Sequence, residues 1–166
     1  WIRPRSYPGF FPQGNDWSSL VHKGSQWGAQ NYQIGFGAYF YLHSDSLGMR
    51  IPSLDDAVRT PDRWYHVAAV IDEKRHCGKI YINGVLDHTA FNVGTTLTNS
   101  DPLFIGSAKA NATSIDGTLS DVRLYSRALS DAEIAALVPA AKVNQPPVVD
   151  AGAKPILTAF SKLKLS

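Results

Sequence analysis

The alternation of apolar and polar positions in the middle of the chain predicts a series of short strands. Residues 63–72 are rich in β-branched and aromatic side chains, contain no Gly or Pro, and leave neither alternating face strongly polar. This pattern favours a central strand that is buried on both sides. Two further apolar runs, at 79–82 and 85–88, flank Asn83-Gly84. Asn-Gly predicts a two-residue type I′ hairpin turn, because both turn positions need positive φ.

A further strand, predicted around Val122, has apolar positions that change phase. Leu119 lies on one parity, whereas Val122 and Leu124 lie on the other. A strand with a period of two keeps both sets inward only if one extra residue is inserted. We therefore expect a β-bulge at Ser120-Asp121.

A short helix is predicted immediately after these strands, over residues 130–137. Ser130 is a good N-cap, and Glu133 three residues later completes a capping box. Ile134 and Leu137 supply its apolar stripe. Together the strands and the helix predict a largely buried set of residues: Trp64, Val67, Ile80, Ile82, Phe104, Ile105, Val122 and Leu124.

These segments, taken in order, resemble the laminin-G-like, concanavalin-A-like jelly-roll family, in the variety common in secreted bacterial multidomain proteins. The matching segments are 64–68, 79–84, 103–106, and 117–129 with the helix that follows. The resemblance covers roughly residues 1–138. It implies an all-β, two-sheet antiparallel jelly-roll sandwich with one short C-terminal helix. Family members carry strands before the position of Trp1, so N-terminal strands are expected to be missing here, which would expose a sheet edge.

The end of the chain has a different character and predicts a second unit. Residues 1–138 form the predicted jelly-roll domain, and 139–145 a linker. Residues 146–166 resemble the truncated start of a PKD or Ig-like repeat, introduced by Pro146-Pro147, which stiffens the junction. A piece this short is not expected to bury a core alone.

Composition narrows the class of protein. The 166 residues are 44% hydrophobic and 18% charged, which is typical of a globular chain. The net charge is +2 and the basic residues are scattered, so no nucleic-acid partner is expected. No apolar run has the length of a membrane-spanning helix, so no membrane insertion is expected. Cys77 is the single cysteine and cannot form a disulfide within the chain.

Candidate catalytic groups are absent from the sequence pattern. No predicted strand carries the alternating acids of a glycoside hydrolase. The five histidines share no metal-ligand spacing, and Cys77 has no His or Asn signature. His66, within the central strand, is expected to have a hydrogen-bonded structural role. We assign no catalytic residue and expect no enzyme activity from this chain.

A calcium ion is the one cofactor that the resemblance implies. In resembling domains an Asp just before the last strand helps bind a structural Ca²⁺, and Asp121 occupies that position. The preceding acidic position of the family is Ser120 here, which weakens the match. The alternative stays open that Asp121 accepts backbone hydrogen bonds at the bulge.

Ligand-binding residues cannot be assigned from the sequence, but two surfaces are candidates. Four aromatic residues either form a sugar-stacking platform on one sheet face or fill the core, and the core is favoured: Trp27, Tyr32, Tyr39 and Tyr41. Long polar loops at one end of the scaffold are the second candidate. They are predicted at 5–17, 52–61, 92–101 and 108–116.

The sequence as a whole predicts a non-catalytic recognition or adhesion module of a secreted or cell-surface bacterial protein. Its expected partners are a glycan or an extracellular protein, together with other domains of the same polypeptide. Two alternatives stay open: a structural spacer without a ligand, and an accessory domain of a secreted hydrolase whose catalytic part lies outside this chain.

Overall fold

A computed structural model describes residues 1–6, 18–25, 29–36, 40–44, 49–54, 60–94, 99–107 and 114–138. Within these ranges the chain forms ten strands followed by one helix. They are Ile2–Pro4 (β1), Ser18–Ser25 (β2), Ala29–Phe36 (β3), Phe40–Ser44 (β4), Met49–Pro52 (β5), Val67–Asp72 (β6), Cys77–Ile82 (β7), Val85–Phe91 (β8), Leu103–Ile105 (β9), Gly117–Leu119 (β10) and Asp131–Ala136 (α1). The predicted linker and Ig-like start lie outside the described residues.

The strands pair antiparallel throughout and form two layers. One layer is a five-stranded sheet in the order β5-β4-β3-β2-β9. The other contains β6-β7-β8 and the pair β1-β10, which a bridge between Ile2 and Tyr65 connects to the chain leading into β6. The predicted all-β antiparallel sandwich with one short C-terminal helix is therefore confirmed.

The main hydrophobic core lies between the two layers, as face-to-face packing of sheets requires. The five-stranded sheet contributes Leu20, Phe40, Leu42 and Ile51. The opposite layer and the loops beside it contribute Ile2, Tyr65, Ile80, Ile82 and Val93. Phe40 and Ile80 are fully enclosed, so strands β4 and β7 are anchored in this core.

A second, smaller cluster lies on the outer face of the β6-β7-β8 layer, under α1. It joins Val70 and Tyr81 of the sheet to Leu129 and Ile134. Side chains of β6 enter both clusters, which agrees with the two-sided burial that its sequence predicts. Among the described residues, no helix is long and apolar enough to cross a membrane.

Two local motifs adopt the predicted geometry. Asn83 and Gly84 have φ of 52° and 80°, as a type I′ turn between β7 and β8 needs. Ser130 caps α1, since its hydroxyl accepts a hydrogen bond from the Glu133 amide at 3.3 Å. The Glu133 carboxylate in turn accepts from the Ser130 amide at 2.8 Å. Both motifs depend on neighbouring residues only, and both are confirmed.

Three of the eight core predictions are wrong, and all three fall at sheet edges. Strand β10 ends at Leu119, because Asp121 adopts a positive φ of 51° and turns the chain. Val122 and Leu124 beyond it are 40% and 54% exposed. Ile105 is 53% exposed, because among the described strands β9 is the edge of its sheet and has β2 as its one partner. Of the rest, Trp64, Ile80 and Ile82 are buried, while Val67 and Phe104 are partly buried.

Candidate functional site

Asp121, the predicted calcium ligand, forms an ion pair with Arg123. Arg123 donates from Nε to Oδ1 of Asp121 at 2.6 Å and from Nη2 to Oδ2 at 2.8 Å. Within the described ranges, no group of three or more His, Cys, Asp or Glu side chains is placed to hold a metal ion. Ca²⁺ takes six to eight oxygen ligands, so one carboxylate bound to a guanidinium does not fit it. Calcium at Asp121 stays a prediction that requires further donors and release of Arg123.

His66 is a buried histidine whose ring is neutral at neutral pH. Burial, followed by the positive charge of the amino terminus, lowers its pKa to about 4. Its ring packs edge-on against Trp1, with the ring centroids 5.3 Å apart. Its Nδ1 has no hydrogen-bond partner in the described part of the chain. Among the described residues, the hydrogen bonds of His66 are made by its backbone and not by its ring. Its N–H donates to the Asn83 side chain, and its C=O accepts from the Asn83 amide.

Two of the four aromatic residues of the candidate sugar-stacking platform, Tyr32 and Tyr41, lie within the described residues. Tyr41 is buried, and its hydroxyl accepts a hydrogen bond from Gln33 Nε2 at 3.1 Å, so it belongs to the interior. Tyr32 is half-buried, whereas Trp27 and Tyr39 lie outside the described residues.

Cys77 is a buried free thiol at the start of β7. Most of the four predicted binding loops also lies outside the described ranges.

A polar groove of about 500 Å³ lies on the outer face of the β6-β7-β8 layer, beside the first turn of α1. We call it the outer-face groove. Antiparallel pairing sets Val70 opposite Lys79 and Asp72 opposite Cys77, so these side chains share one face. Its polar lining is supplied by Asp72, Arg75, Lys79, Ser130, Asp131 and Glu133.

Ion pairs organise the outer-face groove. Asp72 accepts from Arg75 Nη1 at 2.9 Å. Asp131 accepts two hydrogen bonds on Oδ1, one from Lys79 Nζ at 2.8 Å and one from the Tyr81 hydroxyl at 2.7 Å. The Asp131 contacts connect the first residue of α1 to β7, whereas the Asp72–Arg75 pair connects the last residue of β6 to the turn that follows it. Lys79, Tyr81 and Asp131 are therefore held on regular elements.

Hydrogen bonds from neighbouring groups lower the pKa of each carboxyl group that lines the outer-face groove. The hydrogen bond from Arg75 lowers the pKa of Asp72, and that from Lys79 lowers the pKa of Asp131. Hydrogen bonds from Arg127, then from Ser130, lower the pKa of Glu133 to about 2. All three groups are therefore ionised at neutral pH. A general acid needs a pKa near the working pH, and none of these three carboxyls provides one.

Charge in the outer-face groove is balanced. Its three carboxylates, Asp72, Asp131 and Glu133, pair with Arg75 and Lys79 of the lining and with Arg127, which lies beside the groove. Phe91 lies on the same sheet face, because it pairs with Cys77, and its side chain is 69% exposed. The surface thus combines hydrogen-bonding groups, no net charge and an exposed aromatic ring.

Comparison with known proteins identifies the class. A family model described as the concanavalin A-like lectin/glucanases superfamily, of the laminin G type, matches residues 1–135. The chain belongs to this superfamily, and its fold is the jelly roll that the sequence predicts. No curated protein sequence matches the chain.

Two solved structures share the fold. A protein from Bacteroides ovatus named for carbohydrate binding is 20% identical, with a TM-score of 0.61; the match covers 81% of this chain and 38% of that one. A heptameric SAP-like pentraxin from Limulus polyphemus is 16% identical, with a TM-score of 0.66; the match covers 87% of this chain and 69% of that one. This chain therefore spans well under half of the Bacteroides protein. At these identities the likeness concerns the fold alone.

Sequence reasoning did not find the outer-face groove. Ser130 and Glu133 were identified, but as a helix cap and not as part of a site. Asp72 and Lys79 lie seven positions apart in sequence and share a sheet face only through the β6-β7 register. One sequence signal could have indicated this groove. Asp131 directly follows the Ser130 cap, and Lys79 and Tyr81 occupy alternate positions of β7.

Proposed function

We propose that this protein is a non-catalytic recognition module that binds carbohydrate through the outer-face groove. The observation that carries the proposal is the array of paired hydrogen-bonding groups in this groove, on the same sheet face as the exposed ring of Phe91. A sugar presents hydroxyl groups that both donate and accept hydrogen bonds. Carboxylates accept and ammonium or guanidinium groups donate, so the array offers both kinds of partner.

The charge balance favours a neutral ligand. An anionic partner would need an excess of cations, and each cation at this groove already has a carboxylate within 2.9 Å. The ring of Phe91 adds an apolar surface on which the C–H face of a sugar ring can pack. A groove built from a few placed polar groups beside an apolar surface is typical of small-ligand sites.

The absence of catalysis is part of the proposal. A glycosidase needs an acid whose pKa is raised, facing a base or nucleophile across the substrate. Ion pairing instead lowers the pKa of Asp72, Asp131 and Glu133 in the outer-face groove. Turnover of a polysaccharide by the purified protein, lost on substitution of one of these residues, would contradict the proposal.

A glycan array followed by calorimetry with the bound glycan tests the proposed site. Phe91→Ala should weaken binding by roughly tenfold, in line with the loss of one ring contact. Val85→Ala is a matched control, since Val85 is in the same strand, is equally exposed, and lies at the opposite end of β8. Neither change should alter the melting temperature, because both side chains are largely in water.

The result distinguishes the remaining functions. Equal affinity of the two variants would place binding elsewhere on the molecule. Failure of every glycan to bind would favour the structural spacer or a protein partner instead.

We further propose that the module works outside the cell, as one domain of a secreted or surface protein involved in recognition or adhesion. Its neighbours would be an Ig-like repeat that starts near residue 146 and, in the alternative function, a hydrolase domain. The resemblance and the Pro-Pro junction support this arrangement. Limited proteolysis should cut first at 139–145 and leave residues 1–138 intact. A first cut within the sandwich would argue against the domain boundary.

Structural calcium at Asp121 stays a separate proposal, supported only by the resemblance. If Ca²⁺ binds there, it should raise the melting temperature of the wild type and not that of Asp121→Ala, by linkage. Asp116→Ala is the control, since Asp116 pairs with Arg5 at the protein surface. No shift in the wild type at millimolar Ca²⁺ would retire the site.

A further inference from the structure

The carboxylates of the outer-face groove differ in how many of their oxygen atoms are already engaged. Asp72 accepts the Arg75 amide on Oδ1 at 3.1 Å and the Arg75 guanidinium on Oδ2 at 2.9 Å. Glu133 accepts from Arg127 on both of its oxygens, at 2.6 and 3.0 Å. Asp131, by contrast, accepts both of its hydrogen bonds on Oδ1. Its Oδ2 has no partner among the described residues, and the side chain is 60% exposed, so a ligand can reach this acceptor.

Lys79 is the donor that lies beside this acceptor. Its Nζ is 2.8 Å from Oδ1 of Asp131, and its side chain is 25% exposed, so most of the stem is covered. An ammonium group has three N–H donors. One donates to Asp131, and the Tyr81 hydroxyl engages at most one more. The groove therefore presents one open acceptor and one open donor side by side.

The charges of these two groups fix which one donates. Hydrogen bonds from Lys79 and then from Tyr81 lower the pKa of Asp131, so its carboxylate is ionised at neutral pH and can only accept. The hydrogen bond to Asp131 raises the pKa of Lys79, so its ammonium is charged and can only donate. Tyr81 is fully buried and donates to Asp131 at 2.7 Å, which orients the carboxylate. A ligand that contacts both groups must donate at one atom and accept at a neighbouring atom.

Two hydroxyl groups on adjacent carbons of a sugar ring match this requirement. The protein donor and acceptor lie one hydrogen-bond length apart, and two gauche hydroxyl oxygens are separated by a similar distance. One hydroxyl can donate to Oδ2 of Asp131 while its neighbour accepts from Nζ of Lys79. A trans secondary amide does not fit, because its N–H and C=O point in opposite directions. A single hydroxyl would leave one of the two charged groups without a ligand partner.

We propose that the outer-face groove selects glycans with two free hydroxyl groups on adjacent ring carbons, and that Asp131 and Lys79 determine this specificity. The inference rests on the proposed carbohydrate function and adds the class of ligand that the same groove takes. Phe91, on the same sheet face, packs against the sugar ring whatever its hydroxyl pattern. The aromatic ring thus contributes affinity, whereas the carboxylate and the ammonium group distinguish one glycan from another.

Three neutral hexasaccharides test the specificity by calorimetry with the 166-residue protein. Cellohexaose and β-1,4-mannohexaose carry adjacent free hydroxyls on every ring, trans in the first and cis in the second. Laminarihexaose is an isomer of cellohexaose, but its β-1,3 linkages leave no adjacent free pair on the internal rings. Cellohexaose or mannohexaose should bind roughly tenfold tighter than laminarihexaose, because the isomer loses a charge-assisted hydrogen bond.

Three variants locate the specificity within the groove. Asp131→Asn turns the free acceptor into a donor, and Lys79→Met removes the donor while keeping an apolar stem. Each should weaken binding of the preferred hexasaccharide by roughly tenfold and abolish its preference over laminarihexaose. Asp62→Asn is the matched control, since Asp62 is exposed, lies outside the groove, and has a positive φ that Asn tolerates. It should leave the affinity unchanged.

Other outcomes would overturn the specificity. Equal binding of all three hexasaccharides, lost in Phe91→Ala, would keep the carbohydrate function and remove the hydroxyl-pair requirement. A preference that survives both Asp131→Asn and Lys79→Met would assign it to other residues. If none of the three binds, the glycans retained on an array are treated with periodate, which cleaves the bond between adjacent hydroxyl-bearing carbons. Unchanged retention would overturn the specificity alone, whereas retention of no glycan would overturn it together with the proposed function.

Discussion

Truncation of Ile80 to Ala tests whether the core between the two layers is the main source of stability. Ile80 is fully enclosed in the middle of β7 and belongs to the main core cluster. The change removes three carbon groups from this core. At about 0.8 kcal/mol each, their transfer to water costs roughly 2.4 kcal/mol. A cavity adds to this term when the neighbours cannot collapse, so the expected loss is about 3–4 kcal/mol.

The expected loss can be measured by urea unfolding and by thermal melting. For a chain of this size, about 3–4 kcal/mol corresponds to a decrease of about 6–16 °C in the melting temperature. The dependence of unfolding on urea should keep its slope if the fold is unchanged. Val85→Ala, at the exposed end of the neighbouring strand, should change stability by less than about 0.5 kcal/mol. A loss below about 1 kcal/mol for Ile80→Ala would refute the placement of the core.

Two further predictions concern the helix cap and a buried histidine. Ser130→Ala removes the hydroxyl that accepts from the Glu133 amide, so urea unfolding should show a loss of about 1 kcal/mol, whereas the exposed Ser126→Ala should show none. Burial lowers the pKa of folded His66 to about 4 from 6.5, so between these pH values the unfolded chain binds a proton that the folded chain does not. Stability should therefore rise as the pH increases from 4 to 6.5, and this rise should be smaller in His66→Gln. An unchanged pH dependence in that variant would show that His66 is not the responsible group.

The local motifs were determined by residues that are neighbours in sequence. Asn83-Gly84 specifies its turn because these two residue types tolerate the positive φ that the turn requires. Ser130 and Glu133 cap the helix because they lie three positions apart, within one turn. The alternation in residues 67–72 likewise predicted a strand packed on both faces, since a period of two belongs to the backbone of a strand. The order of these motifs was also enough to indicate the superfamily.

Tertiary structure decided the exposure of edge residues and the composition of the outer-face groove. Ile105 and Leu124 have the composition of core residues, yet they are exposed, because no described strand lies beyond β9 or against residues 122–125. Asp131 meets Lys79 across 52 positions, and that distance is closed only when α1 packs on the sheet. The physical reason is that backbone preference acts over a few residues, whereas burial and ion pairing depend on which distant segments the sheet brings together.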